Sequence, residues 1–239
     1  MTILCIETST SVCSAAICKD GTPIKQCICH DGSNHARLLP RYLEELLAFA
    51  REQHLSIEAV ALSEGPGSYT GLRIGTSTAK GLCYGLNIPL IPVPTLEVLC
   101  ESAKEHLSPL TSHLSPLFVP MIDARRMEVY TMINGETKAV VVENEESLYS
   151  GDEQVYYFGD GAEKCAKVFT KPNWHFIPNI VPEAQYVGVL AEKITNHQSP
   201  ETKLIAPLRQ RITNHQLAYY EPYYLKEFIA AQSHVKGLK

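Results

Sequence analysis

The sequence has no C-x-x-C among its eight cysteines, no Gly-Lys-Ser/Thr in its glycine-rich stretch and no excess of basic residues. It also has no apolar run of the roughly 20 residues needed to cross a bilayer. Each absence removes a class of function. Without paired C-x-x-C motifs there is no zinc ribbon or thioredoxin-type redox motif. Cys27 and Cys29 do form a C-x-C. They are read as exposed or edge-strand thiols rather than a metal pair, because zinc-type partners are missing nearby. Several other cysteines fall on apolar strand positions, where a free thiol packs as a small hydrophobe. A formal net charge of -5 gives free phosphate backbone no general attraction to the surface, so any link to nucleic acid is expected to run through a partner. The first seven residues, Met1 to Glu7, lack a basic n-region and a long apolar h-region, and the reading is a cytoplasmic protein with no membrane contact.

What is present is ordinary for a folded protein of one or two domains: 239 residues, 45% hydrophobic and 20% charged, enough for a sizeable core. The first thirty residues predict a β-meander, with strands Ile3 to Glu7, Val12 to Cys18 and Pro23 to His30. A hydroxyl-rich Thr8-Ser9-Thr10-Ser11 turn and a Lys19-Asp20-Gly21 hairpin separate them. A helix follows between Asn34 and Glu52. Its apolar residues Leu38, Leu39, Tyr42, Leu43, Leu46, Leu47, Phe49 and Ala50 fill an arc of about 180° at 100° per residue, wide enough to touch two neighbours. Pro40 must either start the regular helix or kink its first turn.

A strand from Ala59 to Ser63 leads into E-G-P-G-S-Y-T-G-L-R-I-G at 64–75, the most specific stretch of the chain. Gly65 and Gly67 allow a tight strand-to-helix turn or an anion cradle. Pro66 and the glycine spacing exclude the dinucleotide fingerprint, as the missing Gly-Lys-Ser/Thr excludes a Walker loop. On the helix from Ser68 to Leu86, Gly71, Gly75, Thr78 and Leu82 share a face, with Leu72, Ala79, Cys83 and Leu86 beside it. Arg73, Ser77, Lys80 and Tyr84 form the wet side. Glycines at i and i+4 suit close approach of another backbone, either this chain's own sheet or a helix of another subunit. Capping explains Ser68 without a catalytic role.

After a strand at Leu90 to Val93 and a helix from Pro94 through about Glu105, a linker is expected from His106 to Pro116. Beyond it come strands at Leu117 to Ile122, Met127 to Ile133, Thr137 to Glu143 and Val155 to Gly159. Asp123-Ala124-Arg125-Arg126 turns the first pair. Helices are expected at Ala162 to Phe169, after an Asp160-Gly161 cap, and at Pro182 to Asn196, with Val187, Leu190, Ala191 and Ile194 inward. The segment Glu221 to Lys226 shows no amphipathic stripe and is expected to be loosely held.

Strand order, the Thr/Ser turn after Glu7 and the glycine segment together resemble the actin-like ATPase superfamily. More narrowly, I-E-T-S-T at 6–10, H-A-R-L-L-P at 35–40, the 64–75 segment, V-P-T-L at 93–96, D-A-R-R-M-E-V-Y at 123–130 and P-Y-Y-L-K at 222–226 are similar to a glycoprotease-like family. Its members are non-catalytic subunits of the bacterial tRNA threonylcarbamoyladenosine synthase. The likeness is weak between Gly135 and Leu217. It implies an α/β fold of two actin-like, ribonuclease H-like lobes, 1–106 and 107–239, each a mixed sheet with flanking helices. The last segment could pack back on the first lobe.

It also implies a scaffold or activating role in making N6-threonylcarbamoyladenosine on tRNA. The catalytic paralogue TsaD would be held by N-terminal-lobe helices, an ATPase resembling TsaE would join them, and tRNA would be met indirectly. The interface residues that follow are Leu38, Leu39, Tyr42, Leu43, Leu46, Gly71, Leu72, Gly75, Thr78, Ala79 and Leu82. A homodimer through the same face stays open. The catalytic relative carries H-x-x-x-H, whereas here His35 is followed four residues on by Leu39, so no metal is expected. Glu7, Thr8, Ser9, Gly65, Gly67 and Ser68 stand where the superfamily binds phosphate and magnesium. A capped turn is the simpler explanation of them, so no intrinsic cofactor is expected, and ATP with magnesium only weakly or at a subunit boundary. A metallopeptidase or an intrinsic ATPase is the alternative reading, and neither a ligand set nor a nucleophile beside a base is visible for the former.

Overall fold

The computed structural model describes residues 1–32, 34–111, 116–133, 135–196 and 211–226. The first half contains β1 (Thr2–Glu7), β2 (Cys13–Lys19), β3 (Thr22–Cys29), α1 (His35–Glu52), β4 (Ala59–Gly65), α2 (Tyr69–Leu86), β5 (Leu90–Pro94) and α3 (Thr95–Thr111). The second contains β6 (Leu117–Asp123), β7 (Glu128–Ile133), β8 (Glu136–Val141), β9 (Val155–Phe158), α4 (Ala162–Cys165), β10 (Trp174–Ile177), α5 (Ala184–Thr195) and α6 (Asn214–Leu217).

Two five-stranded sheets result, ordered β3-β2-β1-β4-β5 and β10-β9-β6-β7-β8. Their connectivity is the same. In each, three strands run as an antiparallel meander, a fourth pairs parallel to the first strand of the meander, and a fifth pairs parallel to the fourth. This repeated mixed sheet with flanking helices is the two-lobed actin-like architecture. The β2–β3 hairpin closes at Asp20 and Gly21, both at positive φ, which an Asp-Gly pair tolerates and which matches strand twist.

Every residue of β1 is buried, because the first sheet is covered on both faces. On one face Leu4, Ile6, Ala15, Ile17, Val60 and Leu62 meet α1 and α2. On the other, Ile3, Cys5, Ala16, Cys18, Ala61 and Val93 meet α5 through Ala184, Val187 and Ala191. α3 bears on the second sheet, its Leu96, Leu99, Cys100, Ala103 and Leu107 packing with Ile122 and Phe158.

Four elements differ from the sequence reading. Helix α3 runs on to Thr111, through the stretch expected as linker, because Leu107 continues the buried stripe one turn past Ala103; residues 112–115 lie outside the described set. Helix α4 stops at Cys165 rather than Phe169, since the Phe169 ring turns inward edge-on to Tyr157 and Trp174. Strand β10 is unforeseen: four residues long, it is defined by parallel pairing to β9. α6, a single turn, was likewise not read from the sequence, its Leu217 reaching into the first core.

Candidate functional site

β4 ends at Gly65, whose φ of +117° is a backbone conformation that side chains with a Cβ avoid. The chain passes through a cis Gly65–Pro66 peptide to Ser68, whose Oγ caps α2 by accepting from the Gly71 amide at 3.3 Å. The turn after β1 docks onto this loop. The Ser68 amide donates to the Ser9 carbonyl at 2.6 Å, and the Thr8 hydroxyl donates to the Gly71 carbonyl at 2.8 Å. A Cβ at Gly67 would collide with the Ser9 carbonyl, at Gly71 with the Thr8 carbonyl and at Gly75 with the Thr8 hydroxyl. The backbone that the α2 glycines admit is therefore this chain's own β1–β2 turn.

The six residues set against phosphate chemistry, Glu7, Thr8, Ser9, Gly65, Gly67 and Ser68, are indeed brought together, but facing one another. Glu7, Thr8 and Ser9 are fully buried. The amide and hydroxyl of Ser9 both donate to Glu7 Oε1, while Oε2 has no hydrogen bond of its own. Burial pushes the Glu7 carboxyl above its ordinary value, against the opposing pull of the Ser63 and Ser9 hydroxyls and the Ser9 amide. Ser63 shares its own hydrogen bond with Thr95, at 2.7 Å, and Thr95 also accepts from the Gly65 amide. Glu7, Thr8, Ser9 and Gly65 are thus closed off from solvent, while Gly67 is half-exposed and Ser68 exposed.

The eleven interface candidates divide. Leu39, Leu43, Leu46, Gly71, Leu72, Gly75 and Ala79 are buried within the protomer, so their reading as partner contacts is corrected. The reason is geometric: they point at the sheet and at the Thr8 turn, which the helical period alone could not distinguish from a second subunit. Leu38, Tyr42, Thr78 and Leu82 remain half-exposed.

Around Leu38 and Tyr42, Arg41, Glu44, Glu45 and Ala48 line a shallow depression on the outer side of α1. On α2, Ile74, Thr78, Gly81, Leu82 and Gly85 follow the i, i+4, i+7, i+8, i+11 spacing of a single stripe. A Cβ at Gly81 or Gly85 would meet nothing within 4 Å. Leu86 is 47% exposed and Tyr84 79%. Ile74, Gly81 and Gly85 were missed in the sequence, although the same period shows them one step round from Gly71 and Gly75.

The far flank of α2 is not wet throughout. Residues 211–226 return across it, against the expectation of a loose tail. Ile212 bridges to Leu90, and Lys80 donates to the carbonyls of Ala218 and Tyr220 at 3.2 and 3.1 Å. The Tyr223 amide donates to the Glu64 carbonyl at 2.7 Å, and the Tyr224 ring lies 5.1 Å from that of Tyr69. Lys226 then pairs with Glu128 of β7. His35 is the first residue of α1 and is buried, with Nε2 3.2 Å from the Val12 carbonyl. Among the described residues no three His, Cys, Asp or Glu side chains are grouped to hold a metal, and no helix is long and apolar enough to cross a membrane.

With this geometry the chain can be set beside known proteins. The family described as "TsaD: tRNA N6-adenosine threonylcarbamoyltransferase" matches residues 31–148. The tRNA threonylcarbamoyladenosine biosynthesis protein TsaB of Bacillus subtilis is 36% identical over 132 residues, 55% of this chain and 54% of that protein. Its counterpart in Haemophilus influenzae is 34% identical over 130 residues, 54% and 52% of the two chains. Over these stretches the chain is similar to TsaB proteins. It spans about half the length of the curated relatives it matches. The fold likeness reaches further: YeaZ from Pseudomonas aeruginosa superposes with a TM-score of 0.66 at 23% identity, covering 93% of this chain and 99% of that one.

Proposed function

We propose that this chain is a non-catalytic subunit in the synthesis of threonylcarbamoyladenosine on tRNA, holding and activating a catalytic paralogue of the TsaD type. The observation that carries the reading is the half-open stripe Ile74, Thr78, Gly81, Leu82 and Gly85 on α2, on the same sheet face as the exposed flank of α1 with Leu38 and Tyr42. Open glycines one turn apart let a foreign helix come close, and the flanking apolar side chains supply area to bury. Its relatives are named for threonylcarbamoyladenosine biosynthesis, and the catalytic family's description matches the stretch that includes both helices.

In this reading the chain contributes shape and not proton transfer. The buried Thr8–Ser9 turn and the Ser68 cap stiffen the α2 N-terminus, so that the stripe is presented as a preformed surface. An ATPase of the TsaE type would add to the assembled pair, and tRNA would be met through the complex. Copurification with the paralogue, followed by mass analysis of tRNA nucleosides, tests the proposal. A stable pair and modification only in the mixture support it. Free turnover by the single chain, as a peptidase or as an ATPase with nucleotide affinity in titration calorimetry, would overturn it.

A further inference from the structure

Cys13, the first residue of β2, and Cys29, the last of β3, stand directly opposite each other in an antiparallel ladder. Opposed residues of such a pair have Cα atoms about 4.5–5.5 Å apart and Cβ atoms on the same face, inside the span of a disulfide. No other cysteines share this register. Cys27 faces Ala15, Cys5 faces Ala16 and Cys18 faces Ile3 in the β1–β2 ladder. Cys27 and Cys29 are two residues apart on one strand, about 6.6–6.8 Å between Cα atoms, at the far edge of what a disulfide reaches. The pair sits at the open end of the hairpin, with Cys29 on the edge strand β3 and Cys13 on its inner neighbour β2. Cys29 is half-exposed while Cys13 is buried, and both thiols are free.

We propose that Cys13 and Cys29 form a reversible disulfide in response to a peroxide oxidant, a modification site outside the helix face assigned to a partner. Cys29, reachable from solvent, attacks as thiolate: its sulfur takes one peroxide oxygen, the O–O bond breaks, and the leaving hydroxide is protonated to water. The resulting sulfenic acid faces Cys13. The Cys13 sulfur attacks the Cys29 sulfur, the S–O bond breaks, and the hydroxide leaves as water with the proton that Cys13 gives up. Two thiols lose two electrons and two protons, and one peroxide becomes two waters. Burial pushes the Cys13 thiol up to about 11, which keeps it protonated and leaves the first step to the more exposed Cys29. A dithiol reductant reverses the bond.

The test treats the full chain with hydrogen peroxide, alkylates it in denaturant without reduction, and maps the peptides by mass spectrometry. The expected product is one cross-link joining the Cys13 and Cys29 peptides, lighter by two hydrogen atoms, and abolished by dithiothreitol. Cys27→Ser should keep the link and Cys29→Ser should lose it. The oxidised chain should also melt at a higher temperature than the reduced one, because the link restricts the unfolded chain. Cys29 carried to sulfinic acid with Cys13 still alkylated, a Cys27–Cys29 link, or two chains joined through Cys29 would each overturn the proposal. Mapping the unmodified chain gives the answer even if a variant folds poorly.

Discussion

At Gly71 the Thr8 carbonyl fills the space a Cβ would need, and at Gly81 nothing does. Two Gly→Ala changes on one helix should therefore move stability in opposite directions. Gly71→Ala forces a backbone shift and should cost about 1–3 kcal/mol. Gly81→Ala removes only the propensity penalty and should stabilise by about 0.5–1 kcal/mol. Urea unfolding of the two variants checks the pair. Glu7 makes a second prediction, with its sign set by the direction of its shift. Its folded pKa lies above the ordinary value of 4.5, so the native state holds the proton more tightly than the unfolded chain. Stability then falls as pH rises from 4.5 through the folded pKa, and below that window the group contributes no pH dependence. Glu7→Gln should flatten the melting temperature across this range and leave it above that of the parent at neutral pH.

Among elements, α2 is held on two flanks by different parts of the chain. The Thr8–Ser9 turn grips its N-terminal glycines, and residues 211–226 cross its Lys80 side. Lys80→Ala removes two hydrogen bonds to strap carbonyls and should cost about 1 kcal/mol. Hydrogen exchange at the Tyr223 amide, which donates to Glu64, should rise with it if the strap is held from that side. The segment reads as loose in sequence because it has no periodic apolar face. What fixes it is a set of single contacts, each to a different element, and no local pattern encodes those.

For the whole molecule, the proposed assembly turns on the surface left after the protomer has packed itself. Gly85→Trp adds bulk where no neighbour lies within 4 Å. It should leave melting behaviour near that of the parent while weakening capture of the catalytic paralogue by at least about tenfold, measured by binding titration. An unchanged affinity would place the partner elsewhere. Gly75→Trp, by contrast, meets Thr8 and should unfold the protomer before it informs on pairing.

Strand and helix positions through β5 were legible because each is a local matter: short apolar runs bounded by turn residues in β1 and β2, a broad 3.6-residue period in α1 and α2, and Asp-Gly and Ser68 as punctuation. The motif at 64–75 likewise marked the strand-loop-helix corner before any fold was seen. Tertiary structure alone decided which side of α2 faces what. A helix period repeats regardless of what lies opposite, so Gly71 and Gly75 read as an interface until the Thr8 turn was found against them. The same holds for α5, which follows the second sheet in sequence yet covers the first, and for β10, whose pairing partner lies outside any local window. Periodicity says that a face must be covered; only the folded chain says by what.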